Sequence, residues 1–214
     1  GDALPSERDI AELADVSRVT VRKAVQSLVT EGLLVQRHGS GTFVAPRVER
    51  VEQSLSRLTS FTEDMARRGM KAESVWLARG LYPPSPEEML TLGLSATDRV
   101  ARIERLRLAN GTPLAIERAS LAEATLPDPS AVENSLYACL KKNGNRPVRA
   151  IQRLSAALLD NEDAELLGVP PGSATLNIER IAYLVSGKVI EFTRSRYRGD
   201  AYDFVAELRL GDGR

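Results

Sequence analysis

"VSRVTVRKAVQSL", residues 16–28, decides how the front of this chain is read. Apolar residues recur at Val21, Ala24, Val25 and Leu28, the i, i+3, i+4, i+7 spacing of an amphipathic helix. The opening turn is poorly chosen for helix stability alone, because Val19 and Thr20 are weaker helix formers than Ala, Glu or Leu. Residues 16–30 hold three cations, Arg18, Arg22 and Lys23, and no acid, although residues 1–15 hold five acids. At 100° per residue the apolar stripe leaves Val19, Thr20, Arg22, Lys23 and Gln26 on the other side. Reading a DNA major groove needs donors for guanine edges and phosphates, and a small apolar group for the thymine methyl. Arg18, Arg22, Thr20 and Val19 supply both at a helix N-terminus. A solvated basic helix is the alternative reading of the same residues.

The flanks narrow that choice. In front stands "LPSERDIAELADVS", where Ser6 is placed to cap a helix, Asp9 to reach back as a variant capping box, and Ile10, Leu13 and Ala14 to face inward. Behind comes "GLLVQRHGSGTFVA", a strand, a tight turn at His38-Gly39-Ser40-Gly41, and a returning strand. Glycines let backbone approach closely, and Arg37 beside His38 suits a wing lying along a nucleic-acid backbone or minor groove. Helix, turn, helix and wing in this order point to DNA.

Further on the pattern changes. Residues 46–57, "PRVERVEQSLSR", alternate in charge without an apolar face and read as a linker. From 58 the chain runs in alternating strands broken by short helices. Residues 99–122 form one hairpin with Asn110-Gly111 as its turn, and 173–210 supply at least two more strands around "SGK". Ser85 and Pro86 open one helix with Glu87 and Glu88 in its first turn; Asp160 or Asn161 opens another, which Gly168 stops.

Totals exclude several classes. Among 214 residues, Lys plus Arg equals Asp plus Glu at 29 each, so only local clustering bears on nucleic acid. One Cys, Cys139, lies among Leu136, Tyr137 and Leu140 and reads as a packed core thiol. A single His and a single Cys leave no zinc site of the Cys/His type, so no metal is expected. No catalytic residue and no cofactor are expected either, since no nucleophile–base pair appears. No apolar run approaches bilayer length and no signal pattern opens the chain, so a cytoplasmic protein without a membrane partner is expected.

The second region carries the residues of a small-anion site. Ser60, Phe61 and Thr62 open a helix whose free amides suit a phosphate. Arg105 and Arg107 stand two apart on a strand, hence on one face, and could clamp the same phosphate. Glu117 follows on the return strand, and Glu191 and Tyr197, six apart, share a face if no bulge intervenes. There is a condition: a plain two-residue turn at Asn110-Gly111 pairs Arg105 with Ile116 and turns Glu117 away. The site therefore requires an odd-length turn or a bulge, which Pro113 makes credible because it cannot donate to a ladder. Surface cross-strand ion pairs are the alternative for these same residues.

"LPSERDIAELADVSRVTVRKAVQSLVTEGLLVQRHGSGTFV" resembles the winged helix-turn-helix domain of the GntR family of bacterial transcription regulators. The resemblance implies that Arg8, Arg18, Thr20 and Arg22 contact DNA, with His38 and Gly39 in the wing; position 19 is Val where relatives often carry Thr. Family members usually begin one helix earlier, so the first helix of this domain is expected to be missing. From about 58, "SFTEDM", "RIERLRLANGTPLAIER", "NSLYACL" and "IEFTRSRYRGDAYDF" resemble UTRA, the effector domain of the HutC subfamily, which implies a chorismate lyase-like fold. The expectation is thus an α+β chain: 1–45 binding DNA, 46–57 linking, and 58–214 binding an effector and dimerising. Similarity to regulators of N-acetylglucosamine utilisation implies that Phe61, Thr62, Arg105 and Arg107 hold phosphate while Glu117, Ser135, Glu191 and Tyr197 hold a sugar. The implied partners are a palindromic operator, a second copy of the chain, and N-acetylglucosamine-6-phosphate or glucosamine-6-phosphate. A HutC-type regulator of another anion (a different sugar phosphate, a urocanate-like molecule or a carboxylate) is the alternative, followed by a lyase-fold enzyme.

Overall fold

The computed structural model describes residues 2–31, 33–37, 40–44, 51–54 and 57–205. The chain divides into two compact units, 1–49 and 50–214.

The first unit holds α1 (Glu7–Ala14), α2 (Arg18–Thr30), β1 (Leu34–Arg37) and β2 (Gly41–Val44). Both helices start as their sequences dictate: the Ser6 hydroxyl accepts from the Asp9 amide and the Ser17 hydroxyl from the Thr20 amide. Asp15 ends α1 in the left-handed conformation and turns the chain into α2. β1 and β2 pair as an antiparallel wing, and Leu4 donates its amide to the Thr42 carbonyl at 2.8 Å. The core is narrower than the sequence stripes imply. Ala11, Val21, Val25 and Leu34 are buried with Leu4, Ile10 and Val29 against them, whereas Leu13 is 83% exposed and Ala24 and Leu28 are exposed. On α2 the buried line runs i, i+4, i+8, because α1 and β1 cover only one flank of a helix in so small a unit.

The second unit begins with β3 (Val51–Ser54) and α3 (Phe61–Arg67), followed by β4 (Ala72–Tyr82), α4 (Pro86–Leu92), β5 (Val100–Ala109) and β6 (Thr112–Ala122). Then come α5 (Leu136–Lys142), β7 (Arg149–Leu158), α6 (Asn161–Leu167), β8 (Ala174–Tyr183), β9 (Val189–Arg198) and β10 (Tyr202–Val205). Six of these strands form an antiparallel sheet in the order β4-β5-β6-β9-β8-β7. The stretch expected as a linker is partly strand: β3 pairs in parallel with β10, Val51 opposite Tyr202. A partner about 150 positions away leaves no local pattern to read, and β10 offers unpaired backbone that a short strand can take up.

The sheet is packed on both faces. Odd-numbered residues of β5 and β6, Ala101, Ile103, Ala119 and Leu121, pack with Leu136, Leu140 and the buried free thiol of Cys139. Even-numbered Leu106 and Ile116 face α6 through Ala164 and Leu167, and Val100 and Phe192 face Leu92 of α4.

Glu88 fixes α4 to the sheet. It accepts from Arg102 and from Ser120 at 2.7 Å, besides closing a capping box with Ser85. Burial pushes its carboxyl up, but hydrogen bonds from Arg102, from the Ser85 amide and from Ser120 outweigh this and hold it at about 2. A carboxylate held so low adds stability that is complete above pH 4.5 and disappears as pH falls toward 2. Glu88→Gln is expected to cost roughly 2 kcal/mol at pH 7, the scale of a charge-assisted bond. The difference from wild type should narrow below pH 4.5 in thermal melts run across pH. A gap that does not change with pH would show that the ion pair carries none of the stability.

Candidate functional site

The geometric condition on the hairpin is met in an instructive way. Asn110 and Gly111, both at positive φ, make a two-residue turn between Ala109 and Thr112. The register then slips between Arg107 and Leu108, with Leu108 opposite Pro113 and Arg107 opposite Ala115. Leu114 is the extra residue, and it brings Arg105 opposite Glu117. Glu117 faces Ser195, and Ala115 faces Tyr197, so the odd-numbered side chains of β5, β6 and β9 share one face.

All eight side chains expected in the anion site line one recess on that face: Phe61, Thr62, Arg105, Arg107, Glu117, Ser135, Glu191 and Tyr197. Arg105 and Arg107 are each 2% exposed. Arg105 pairs with Glu117 and lies over the Trp76 ring at 5.5 Å. This is a cross-strand ion pair, but a buried one, which excludes the surface-pair alternative for these two residues. Arg107 lies over the Phe61 ring at 4.6 Å and donates to Ser74 at 2.7 Å, Thr62 at 3.0 Å and the Asn134 carbonyl at 3.1 Å. The Nε groups of both arginines are buried without a hydrogen-bond partner. Orphaned donors in a recess are places for a ligand's acceptors.

The charges divide the recess in two. Burial lowers the Arg107 guanidinium to about 10, with Glu117 opposing and Arg105 reinforcing the shift. Burial would raise the Glu117 carboxyl, but Arg105 and Arg107 hold it below the ordinary glutamate value. At the other end burial raises the Glu191 carboxyl, only partly offset by Arg180 and by the hydrogen bond from Thr193 at 2.6 Å. Burial also raises the Tyr197 phenol, with Glu117 adding to it. One end holds Arg105 and Arg107 with Glu117, the other the Glu191 carboxyl and a set of hydroxyls beside the Arg180 guanidinium.

Sequence reasoning missed Tyr137, Arg180, Thr193 and Ser195, which also line the recess. Thr193 and Ser195 were reachable, since alternation from Glu191 to Tyr197 puts them on the same face. Arg180 was not, because its placement depends on β8 lying beside β9. It spans from the Thr59 carbonyl, 3.2 Å, to the Gln152 amide oxygen, 2.7 Å.

In the first unit the residues expected to meet DNA stand on α1 and α2. Arg8, Arg18, Val19, Thr20 and Arg22 are all exposed, Val19 by 63%. Thr20 shares a hydrogen bond of 2.8 Å with the Ser17 hydroxyl, and Arg8 reaches Asp9 at 3.7 Å. Arg22 forms an ion pair with Glu7 of α1 at 2.9 Å. His38 and Gly39 lie outside the described residues.

A helix-turn-helix with a paired wing, joined in one chain to a sheet domain holding a buried arginine recess, defines a transcription regulator that carries its own small-molecule domain. The chain belongs to the GntR family: residues 1–44 match the bacterial regulatory proteins of that family and 67–203 match the UTRA domain. It is similar to the HTH-type transcriptional repressor NagR of Bacillus subtilis (strain 168), at 40% identity over 205 residues, 94% of this chain and 84% of the relative. The mannosyl-D-glycerate transport/metabolism system repressor MngR of Escherichia coli (strain K12) is 32% identical over 208 residues, 96% of this chain and 86% of the relative. The crystal structure of PhnF from Mycobacterium smegmatis superimposes with a TM-score of 0.71 at 30% identity, covering 98% of this chain and 93% of that one. These relatives and the fold are those of transcription regulators, not of enzymes. Regulators of this family bind operator DNA and small-molecule effectors. No helix among the described residues is long and apolar enough to cross a membrane.

Proposed function

We propose that this chain represses genes of amino-sugar catabolism and leaves its operator when it binds N-acetylglucosamine-6-phosphate or glucosamine-6-phosphate. The observation that carries this is the pair of buried guanidinium groups, Arg105 and Arg107, each with an Nε lacking an acceptor. A phosphoryl group supplies acceptors to both at once, and its charge relieves the cost of holding two cations in a dry recess. Glu117, Ser135, Glu191 and Tyr197 then meet the sugar, where hydroxyls and an amine or amide need donors and acceptors of both kinds. Similarity to the NagR repressor at 40% identity supports the amino sugar over other phosphates.

The first 45 residues read the operator through Arg8, Arg18, Val19, Thr20 and Arg22, with His38 and Gly39 in the wing. Two copies, joined through the domain from 58 onward, place two such surfaces on the half-sites of a palindrome. Coupling has a physical route within the second unit. Tyr197 of the recess packs against Tyr202 of β10 with tilted rings, centroids 4.3 Å apart, and β10 carries β3, the strand by which the chain enters this domain. An effector shifts operator affinity only as far as it binds one arrangement better than another.

Calorimetric titration tests the reading with four ligands: glucosamine-6-phosphate, N-acetylglucosamine-6-phosphate and their unphosphorylated forms. The phosphorylated sugars should bind at least about 100-fold tighter, the worth of two charge-assisted bonds at roughly 1.5 kcal/mol each. Equal affinity with and without phosphate would refute the clamp.

A further inference from the structure

The recess has a cavity volume of only about 30 Å³, room for a water or two. Small-molecule sites run to ~300–1,000 Å³, so an effector must displace part of the wall. The hydrogen bonds identify which part. Three donors converge on one backbone oxygen, the carbonyl of Asn134: Thr62 Oγ1 at 3.2 Å, Arg107 Nη1 at 3.1 Å and, at the long end, Arg105 Nη1 at 3.4 Å. A carbonyl has two lone pairs, so three donors crowd it. Two of the three are the buried guanidinium groups, which otherwise find one carboxylate, Glu117, and two hydroxyls, Ser74 and Thr62. As a residue Asn134 is exposed, yet its carbonyl is held by three side chains that line the recess, Thr62, Arg105 and Arg107.

Resting on the effector reading above, we infer that the Asn134 carbonyl stands in for the effector's phosphoryl group, and that phosphate binding expels it from the arginine clamp. One dipole serves three donors poorly and leaves both arginine Nε groups unmatched; a dianion with several oxygens satisfies all of them. Expulsion frees the start of α5, because Ser135 is its N-cap, with its hydroxyl accepting from the Ala138 amide. It also frees Thr62 of α3, whose hydroxyl bridges the two segments by donating to the same carbonyl. The binding event therefore unlatches two wall segments through one atom.

The test uses the full chain. Asn-Ser occurs once in the sequence, at 134–135, so labelling Asn with carbonyl carbon-13 and Ser with nitrogen-15 yields a single carbonyl-correlated amide signal. Trp76, the one tryptophan, lies beneath Arg105 and reports occupancy by fluorescence. Adding inorganic phosphate, and separately glucosamine-6-phosphate, should move the Asn134 carbonyl upfield as it loses its donors, with the same midpoint as the Trp76 response. Glucosamine should leave it in place. In Arg107→Met the signal of the free protein should already sit part of the way upfield and no longer respond to phosphate. Saturable Trp76 quenching with an unmoved Asn134 carbonyl overturns the inference and leaves the effector reading intact. Failure of both phosphate and glucosamine-6-phosphate to bind overturns the two together.

Discussion

Replacing Arg107 by Met should abolish the response to effector while leaving the protein as stable as before, or more stable. The guanidinium is buried, and its acceptors are the neutral oxygens of Ser74, Thr62 and Asn134 rather than a carboxylate. Burial lowers it from the ordinary guanidinium value to about 10. Holding the charge in the folded state at neutral pH therefore costs about 3 kcal/mol, at 1.36 kcal/mol per unit. Three hydrogen bonds to neutral partners return a similar amount at ~0.5–1.5 kcal/mol each, so their loss and the relief of the charge nearly cancel. Binding has no such cancellation. Truncating one partner of a buried charge pair costs ~2–5 kcal/mol, a loss of at least about 30-fold in affinity for a phosphosugar. Scanning calorimetry and titration calorimetry on the same preparation read both quantities. Unchanged affinity in the variant would remove Arg107 from the site.

Arg105→Ala should give a superficially similar, uninducible repressor for a less informative reason. It strips the buried carboxylate of Glu117 of its only ion-pair partner among the described residues, and such a loss destabilises by ~3–5 kcal/mol. The two arginines thus separate stability from function. On the proposed reading Arg105 serves both, whereas Arg107 adds almost nothing net to the fold and serves the anion.

That distinction was half legible in the sequence. The spacing of Arg105 and Arg107 put them on one face, and the demand that Glu117 join them required an irregularity near Pro113, which the structure supplies at Leu114. Two-residue periodicity carries such information because it is local. Arg180 and the strand pairing of β3 were not legible, since each depends on which strands lie side by side across long separations. The Asn134 carbonyl was beyond reach for a different reason: every residue has one, and no side-chain pattern marks the one that turns inward. In the first unit the helices were legible and the depth of burial was not. Periodicity gives the direction of a face, and the partners decide how wide a strip they cover, which left Leu13 and Leu28 outside.

Arg22→Ala is expected to weaken operator binding by roughly 5- to 150-fold, the span of a bidentate base contact at ~1–3 kcal/mol, with effector titrations unchanged. The pair with Glu7 makes this more than a charge deletion. Arg22 is 66% exposed along its side chain, yet its Nε and Nη2 both donate to Glu7, whose carboxyl is held below its ordinary value chiefly by that hydrogen bond. A carboxylate on a surface that approaches phosphates is repelled by them, so its presence needs a reason, and orienting Arg22 is one. If Glu7 serves to aim Arg22, Glu7→Gln removes a repulsive charge and should raise affinity for random-sequence DNA while narrowing its preference for the operator. If Glu7 is only an unfavourable neighbour, the same change raises affinity for both DNAs equally. Fluorescence anisotropy at two salt concentrations separates these outcomes, because phosphate contacts change the slope of affinity against salt and base contacts do not. Operator binding by Arg22→Ala that equals wild type at both salts would take α2 out of the groove.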